Sequence, residues 1–455
     1  MLSAAMCVSL VMGACSSDPP VEAPEPVTSL PNESIPTVLT LPPVPTVPPV
    51  GSLVPADEDP MTFYVSPTLG RDDNDGQTKD TAWASLQTAL DRLSPGQTLF
   101  LMGGAYQGEI QRGLSHFLLT VSGTPDAWIR VTAAPGEAPT LIAEQGNALE
   151  ISGSYVEISG LEVLGQGFGA GNDYGWGLLV RNNHHVRLLG NEISGMPVGG
   201  ITSVEASNFE VVANVVHDNS FWGTEQGSGI SMWHSVDAGT EPADDGYHNR
   251  IIGNIAYRNE NKVFSEWRDY DVITDGNGII IDQADETGYT GRTLVANNIV
   301  FDNGGRGILV LESSRVDVVH NTTFHNGRTE GLEGGSVELA AGRAHDVRFL
   351  NNLAWSRPGS PAATVVETTN IVSGGNVFVT DSQSGTYSES DLVITNDPGV
   401  VLASVDPTVA DFRPRPDSRL IGRALTVAPA LSQDADLRRR PSVGADVGAY
   451  ELTRP

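Results

Sequence analysis

Trp233, His234, Asp282 and Glu312 bring an indole, an imidazole and two carboxylates to matching places in neighbouring segments, and Lys262, Asp275, Arg306, Tyr247 and His248 lie beside them. Two carboxyl groups, one protonated and one ionised, can cleave a glycosidic bond, and Asp282 with Asp275 or Glu312 offers such a pair. Imidazole is the side chain that changes charge nearest neutral pH, so His234 offers a general base or acid. A loop histidine bonded to a backbone carbonyl is the plainer alternative. An exposed indole beside carboxylates presents a flat apolar face for a sugar ring, which is the expectation for Trp233, alongside a purely structural use as a plug under the next loop. Asp275 can equally form a turn or a salt bridge to Arg306.

These residues are positioned by a repeat. Asn191, Asn214, Asn254, Asn298, Asn321 and Asn352 occupy one address in successive short apolar phrases, and Asn219, Asn259, Asn303 and Asn326 follow four of them by five residues. The successive spacings are 23, 40, 44, 23 and 31 residues. A short β-rich unit that tolerates insertions is the mark of a solenoid, whose units bury a core only against their neighbours. Upstream of the asparagines lie glycine-led strands beginning at Gly177, Gly200, Gly229, Gly278 and Gly307. Alternation turns Leu178, Ile201, Ile230, Ile279 and Ile308 inward, with Val180, Ser203, Met232, Ile281 and Val310 two positions on. Leu179 and Arg181, Thr202 and Val204, Ser231 and Trp233, Ile280 and Asp282, and Leu309 and Leu311 then face outward, on a surface a ligand can reach.

Insertions are placed by counting along each coil. From strand end to first asparagine the short coils use 10 residues, whereas Trp233 to Asn254 uses 21 and Asp282 to Asn298 uses 16. From second asparagine to next glycine the short case is 4, whereas Asn219 to Gly229 uses 10 and Asn259 to Gly278 uses 19. All four extra pieces flank the strands that carry Trp233 and Asp282. Loops on both rims of one patch of a rigid sheet wall a groove, where binding and catalysis concentrate. The walls bring Asp237, Glu241, Asp244, Asp245, Tyr247 and His248 on one side and the stretch from Asn259 to Gly278 on the other. Trp233, Tyr247, His248 and Glu312 are thus the expected substrate-binding residues. The ladder asparagines, Asn297 and Asn303 read as amide stacks inside turns.

Composition narrows the partners. The formal net charge of −30 argues against nucleic acid, whose phosphates need a basic footprint, and disfavours unaided binding of a polyanionic glycan. Both cysteines, Cys7 and Cys15, fall in the first fifteen residues, so no disulfide staples the folded part. Residues 1–15 look like a bacterial lipoprotein signal with the lipobox Met12-Gly13-Ala14-Cys15, which would anchor a secreted, cell-surface or periplasmic protein to a membrane through a lipid on Cys15, with a plain secretory signal cut nearby as the alternative. Residues 16–60 hold thirteen prolines, seven acidic residues and no Lys or Arg, the composition of a disordered, extended tether. Folded sequence starts near Met61. Trp83, Leu86, Leu90 and Leu93 at helical spacing, stopped by Pro95-Gly96, predict a short helix that caps the open end.

The segment from Met61 through this helix resembles the N-terminal part of bacterial right-handed parallel β-helix proteins of the pectate-lyase-like superfamily, and the asparagine phrases resemble their coils. The chain's end, DFRPRPDSRLIGRA and DLRRRPSVGADVGAYE, resembles the closing segment of extracellular members. The resemblance implies an all-β right-handed parallel β-helix: cap and first coils over 61–146, a central helix with groove-forming loops over 147–382, and a closing segment over 383–455. It implies a polysaccharide partner, uronate-containing in the lyases, and a monomer. It further implies β-elimination, with Lys262 or His234 as base, Arg306 helping to neutralise charge, and Asp275 and Asp282 holding Ca²⁺. The adjacent paired aspartates and following lysine of those lyases are absent here. A glycoside hydrolase or a non-catalytic glycan-binding module on the same fold are the alternatives.

Overall fold

The computed structural model describes residues 38–40, 61–111, 114–169, 174–238, 246–428 and 431–452; Cys15, most of the proline-rich stretch and the wall residues Glu241, Asp244 and Asp245 lie outside the described residues. Each coil lays down three strands, as in Ile279–Asp282, Arg292–Ala296 and Ile299–Phe301, before the next begins at Ile308–Leu311. Stacked coil on coil, they form three parallel sheets of nine, eleven and eleven strands among the described residues. The first sheet carries the glycine-led strands. Leu178, Ile201, Ile230, Ile279 and Ile308 pair in register along it and are wholly buried, as is the second inward column from Val180 to Val310. Parallel strands buried this way are stable only as a stack.

The two asparagine columns are continuous hydrogen-bonded ladders. Asn254 Nδ2 donates to Asn298 Oδ1 at 3.0 Å and its backbone N–H to the same oxygen at 2.9 Å, and each rung repeats this from Asn191 to Asn376. Both ladders run toward a carboxylate. Asn376 donates to Asp391 at 2.9 Å, and Asn326 donates to Glu338 at 2.6 Å. The second ladder also explains the glycines that lead the first-sheet strands. A Cβ at Gly229 would sit 2.6 Å from Asn259 Nδ2, and one at Gly278 would sit 2.8 Å from Asn303 Nδ2 and 2.1 Å from Val300 Cγ1. Glu338 occupies the glycine column one coil after Gly307, where the ladder ends. Asn297 departs from the expected stack. Its side chain is held by Gln433 O and by Arg440 of the C-terminal segment.

The N-terminal helix spans Leu86–Arg92, capped by the Ser85 side chain on the Thr88 N–H. It lays Leu86, Ala89 and Leu90 over the end of the core, beside Trp83. At the other end Tyr387 packs against the core residue Phe378, with ring centroids 4.9 Å apart. The closing segment does not simply plug that end. Phe412, Ala449 and Tyr450 cover Tyr257, Ile299, Phe301 and Phe324 along the third sheet's outer side. In the proline-rich stretch Val38–Thr40 departs from the expected disorder and pairs in parallel with Thr426–Ala428.

Candidate active site

The insertions fall where counting put them, on the two rims of the first sheet: one after Asp218 or Tyr257 and before the next first-sheet strand, the other after Trp233 or Asp282. The loops lie closer to the sheet than expected. Leu179, Thr202, Ser231, Ile280 and Leu309, the first outward column, are covered, with Val337 and Ala340 packed on Ile280 and Leu309. Only Arg181, Trp233, Asp282 and Leu311 of the second outward column keep part of their surface, since Val204 is buried. The accessible surface is therefore a single row, in which Trp233 pairs with Asp282 and Asp282 with Leu311.

From the strand Trp176–Arg181 onward, the residue after each first-sheet strand is left-handed although none is glycine: Asn182, Glu205, His234, Gln283, Glu312, Arg343 and Glu367 all have φ between 46° and 53°. This turn brings a second row of side chains alongside the first. Trp233 Nε1 donates to Gln283 Oε1 at 2.7 Å, Gln283 Nε2 reaches Glu312 Oε2 at 3.3 Å, and Arg343 Nε donates to Glu312 Oε1 at 2.5 Å. His234 stacks on Trp233 at 4.3 Å, and its Nε2 lies 3.3 Å from Glu286. Gln283, Glu286 and Arg343 are additions to the expected site. Extending the alignment of the strands by one residue is the signal that finds Gln283 and Arg343, whereas Glu286 lies further along the wall loop.

Asp282 is the centre of this arrangement. Its Oδ1 is shut off from solvent without a hydrogen-bond partner, although the residue as a whole keeps some exposed surface. Burial, then the nearby charges of Asp275, Glu312 and Glu286, push its carboxyl well above the usual carboxylate range, and Arg343 opposes them weakly. A buried acceptor left unpaired is costly, so its persistence points to a group that meets its partner only in function.

The other expected residues divide. Asp275 lies near Asp282, with one carboxylate oxygen accepting from Thr274 Oγ1 and the other from Asn277 Nδ2, both at 2.8 Å. Burial raises its pKa despite those bonds. Arg306 is buried and donates to Thr274 O at 3.0 Å and to Glu333 O, clamping the wall loops. Lys262 stands on the same wall with its ammonium 3.7 Å from Glu260 and 4.0 Å from the Phe221 ring. Tyr247 is not a groove residue. It opens the second-sheet strand Tyr247–Ile252, is buried among Leu294, Ala296 and Val319, and donates to Asp317 at 2.6 Å. His248 follows on that strand, its ring edge-on to Tyr289 at 6.4 Å, and so also leaves the groove. Among the described residues no three His, Cys, Asp or Glu side chains converge as metal ligands.

Comparison with known proteins agrees with this architecture. Residues 63–334 match the family described as Pel9A-like, right handed beta helix region. The chain is 26% identical over 295 residues to pectate lyase PEL9 of Emericella nidulans, covering 54% of this chain and 68% of that protein. Among solved structures it is similar to XylC in complex with xylose, at 10% identity and a TM-score of 0.51 over 87% of this chain and 99% of that one. It is also similar to pectate lyase Pel9A, at 17% identity and a TM-score of 0.44 over 86% and 96% of the two chains. The asparagine-laddered coils and the family match together show that this chain belongs to the Pel9A-like right-handed β-helix family, a polysaccharide lyase-like fold.

Proposed function

We propose that this protein binds a polysaccharide along the row from Arg181 to Arg343 on the first sheet and cleaves it by β-elimination. The reading places it outside the cytoplasm, as a monomer held to a bacterial membrane by a lipid on Cys15. Family membership and the pectate lyase relative support the reaction class. The observation that carries the site is the unpartnered carboxyl of Asp282, which feels the charges of Asp275, Glu312 and Glu286 and pairs along the sheet with Trp233.

β-Elimination at a uronate removes the proton α to the carboxylate, expels the oxygen at the β position, and neutralises the charge that develops between. A carboxyl whose pKa is raised by burial is a stronger base when ionised than an ordinary aspartate, and suits proton transfer nearer neutral pH. Asp282 takes that role, and His234, on Trp233, is the second group able to move a proton. Lys262, on the wall, is the remaining candidate base. Arg343, whose side chain is about half exposed, supplies the positive charge for the sugar acid, while Arg306 supports the wall that faces it. Trp233 positions a ring of the substrate. Calcium takes six to eight oxygen ligands. Asp275 has both oxygens engaged, and among the described residues no third His, Cys, Asp or Glu converges with it and Asp282 as a metal ligand, so the pair does not fit the expected calcium site, and no step here runs through one.

The same four carboxylates favour a second reading, glycoside hydrolysis, since they include one held toward its protonated form beside others that can ionise. One assay separates the readings. Incubation with a panel of uronate and neutral glycans is followed by ultraviolet absorbance, which reports the unsaturated product of elimination, and by reducing ends, which both reactions release. Reducing ends without absorbance identify a hydrolase. Retention of a glycan with neither signal identifies a binding module.

A further inference from the structure

The wall loop between Asn259 and Gly278 exposes three large aromatic side chains that the site above does not use. Phe264, Trp267 and Tyr270 are 54%, 55% and 49% exposed. Apolar surface of this kind on a loose loop would be unremarkable, but this loop is held firmly. Ser265 N–H donates to Val272 O at 2.8 Å, Glu266 N–H to Thr224 O at 3.1 Å, and Gln226 Nε2 to Val263 O at 2.9 Å. Ile273 bridges in parallel to Leu332, and Glu333 N–H donates to Ile273 O at 2.9 Å. Glu333 then fixes the rim itself, accepting from Arg268 at 3.0 Å and from the Tyr270 hydroxyl at 2.6 Å. Rigid aromatic rings held out into water are preorganised for a flat apolar partner.

The charges around the rings select the partner's chemistry. Glu266, Asp269 and Asp271 are exposed beside the rings, while the loop's two cations, Arg268 and Lys262, are already paired with Glu333 and Glu260. An anionic sugar acid would meet uncompensated carboxylates here, whereas the hydroxyls of a neutral sugar would find acceptors beside a stacking face. The loop continues through Thr274 and Asp275 into the strand Ile279–Asp282, so it leads directly into the proposed cleavage row.

We infer that the Phe264, Trp267 and Tyr270 rim is a binding site for neutral sugar residues, and that it engages a neutral stretch or side chain of the polysaccharide that Asp282 acts on. The second half of this rests on the proposed cleavage; the binding itself does not. The test is affinity electrophoresis of the full chain in gels containing galactan, arabinan, xylan or polygalacturonate, comparing the wild type with Trp267→Ala, Tyr270→Phe and Asp282→Asn. At least one neutral glycan should retard the wild type. Trp267→Ala should weaken that retardation by about tenfold or more, Asp282→Asn should leave it unchanged, and Tyr270→Phe, which frees the ring from Glu333, should give an intermediate loss. No retardation by any neutral glycan, retardation by polygalacturonate alone, or equal retardation of wild type and Trp267→Ala would each overturn the inference. Because the readout is binding, it stands or falls whether or not any glycan is cleaved. Circular dichroism of the exposed-residue variants checks that the fold is retained.

Discussion

Replacing Asn259 by Ala should destabilise the protein far more than loss of one polar side chain from a loop, because Asn259 is a rung of the second ladder and the foot of the wall loop. Its Nδ2 donates to Asn303 Oδ1 at 2.9 Å and to Val216 O at 3.0 Å, and its Oδ1 accepts from Asn219 Nδ2 at 3.0 Å and Asn219 N–H at 3.3 Å. Asn219, Asn259 and Asn303 are all fully buried, so water does not replace what is lost. Four bonds are severed, and the Asn219 N–H is left with no acceptor. At about 1 kcal/mol for each bond and about 1–3 kcal/mol for a buried group left unpaired, the expected loss is roughly 5–7 kcal/mol. Surface substitutions typically stay within about 0.5 kcal/mol. Asn259→Asp separates the two halves of the rung. Its carboxylate still accepts from Asn219 but turns oxygen toward Asn303 Oδ1, so at neutral pH it should lose as much as Ala. It should recover part of that loss at acid pH, where a protonated oxygen can donate. Urea unfolding followed by circular dichroism and tryptophan fluorescence reads both variants. A loss below about 1 kcal/mol for Ala, or an Asp variant as stable as the wild type, would refute the ladder as a source of stability.

Glu338, the carboxylate that ends this ladder, is pushed up to about 8 by burial. The folded state therefore holds its proton more tightly than the unfolded chain does, and stability falls as pH rises from about the unfolded value of 4.5 through about 8. Relative to Glu338→Gln, the wild type should lose on the order of 5 kcal/mol across that window in unfolding experiments, and parallel pH profiles would contradict the assignment. Glu312→Gln removes one of the charges that raise the Asp282 pKa, so the acidic limb of the activity profile should move to lower pH; a limb that stays put means that Asp282 is not the titrating group. Gly278→Ala places a methyl group against Val300 and Asn303. It should cost about 1–3 kcal/mol in thermal unfolding by overpacking, and a neutral effect would show that the ladder can shift to accept it.

The solenoid was legible because its signals are local. An asparagine whose amide bonds to the same residue one coil on must recur at the coil length, so Asn191 to Asn352 report the stacking and Gly229 and Gly278 report the room those amides need. Trp233 and Asp282 were found as strand neighbours for the same reason, by register. What long-range folding decides was less visible. Tyr247 reads as loop because an insertion precedes it, yet its hydroxyl is bonded to Asp317, 70 residues on, and its ring is buried under the second sheet's outer side. Arg306 reads as a charge-neutralising cation or a salt-bridge partner of Asp275, and only the two loops folding over it turn it into a clamp on Thr274 and Glu333. The first outward column was expected to be open, and Ile280 and Leu309 are instead packed under Val337, from the segment ahead of the next strand, and Ala340, their neighbour in the column, which the alternation of residues does not reveal. Gln283 and Arg343 were missed because the alternation of residues ends with the strand, one residue short of the left-handed turn that aims them.

The central claim is that Asp282 on the first sheet carries out proton transfer in a polysaccharide elimination. The most direct measurement is ultraviolet absorbance of the unsaturated product from wild type and Asp282→Asn protein, side by side on the same uronate glycan. The account predicts a steady rise with the wild type and a loss of about a hundredfold or more with the variant, as removal of a general acid or base requires. An Asp282→Asn protein that is folded and turns over at the wild-type rate would contradict it.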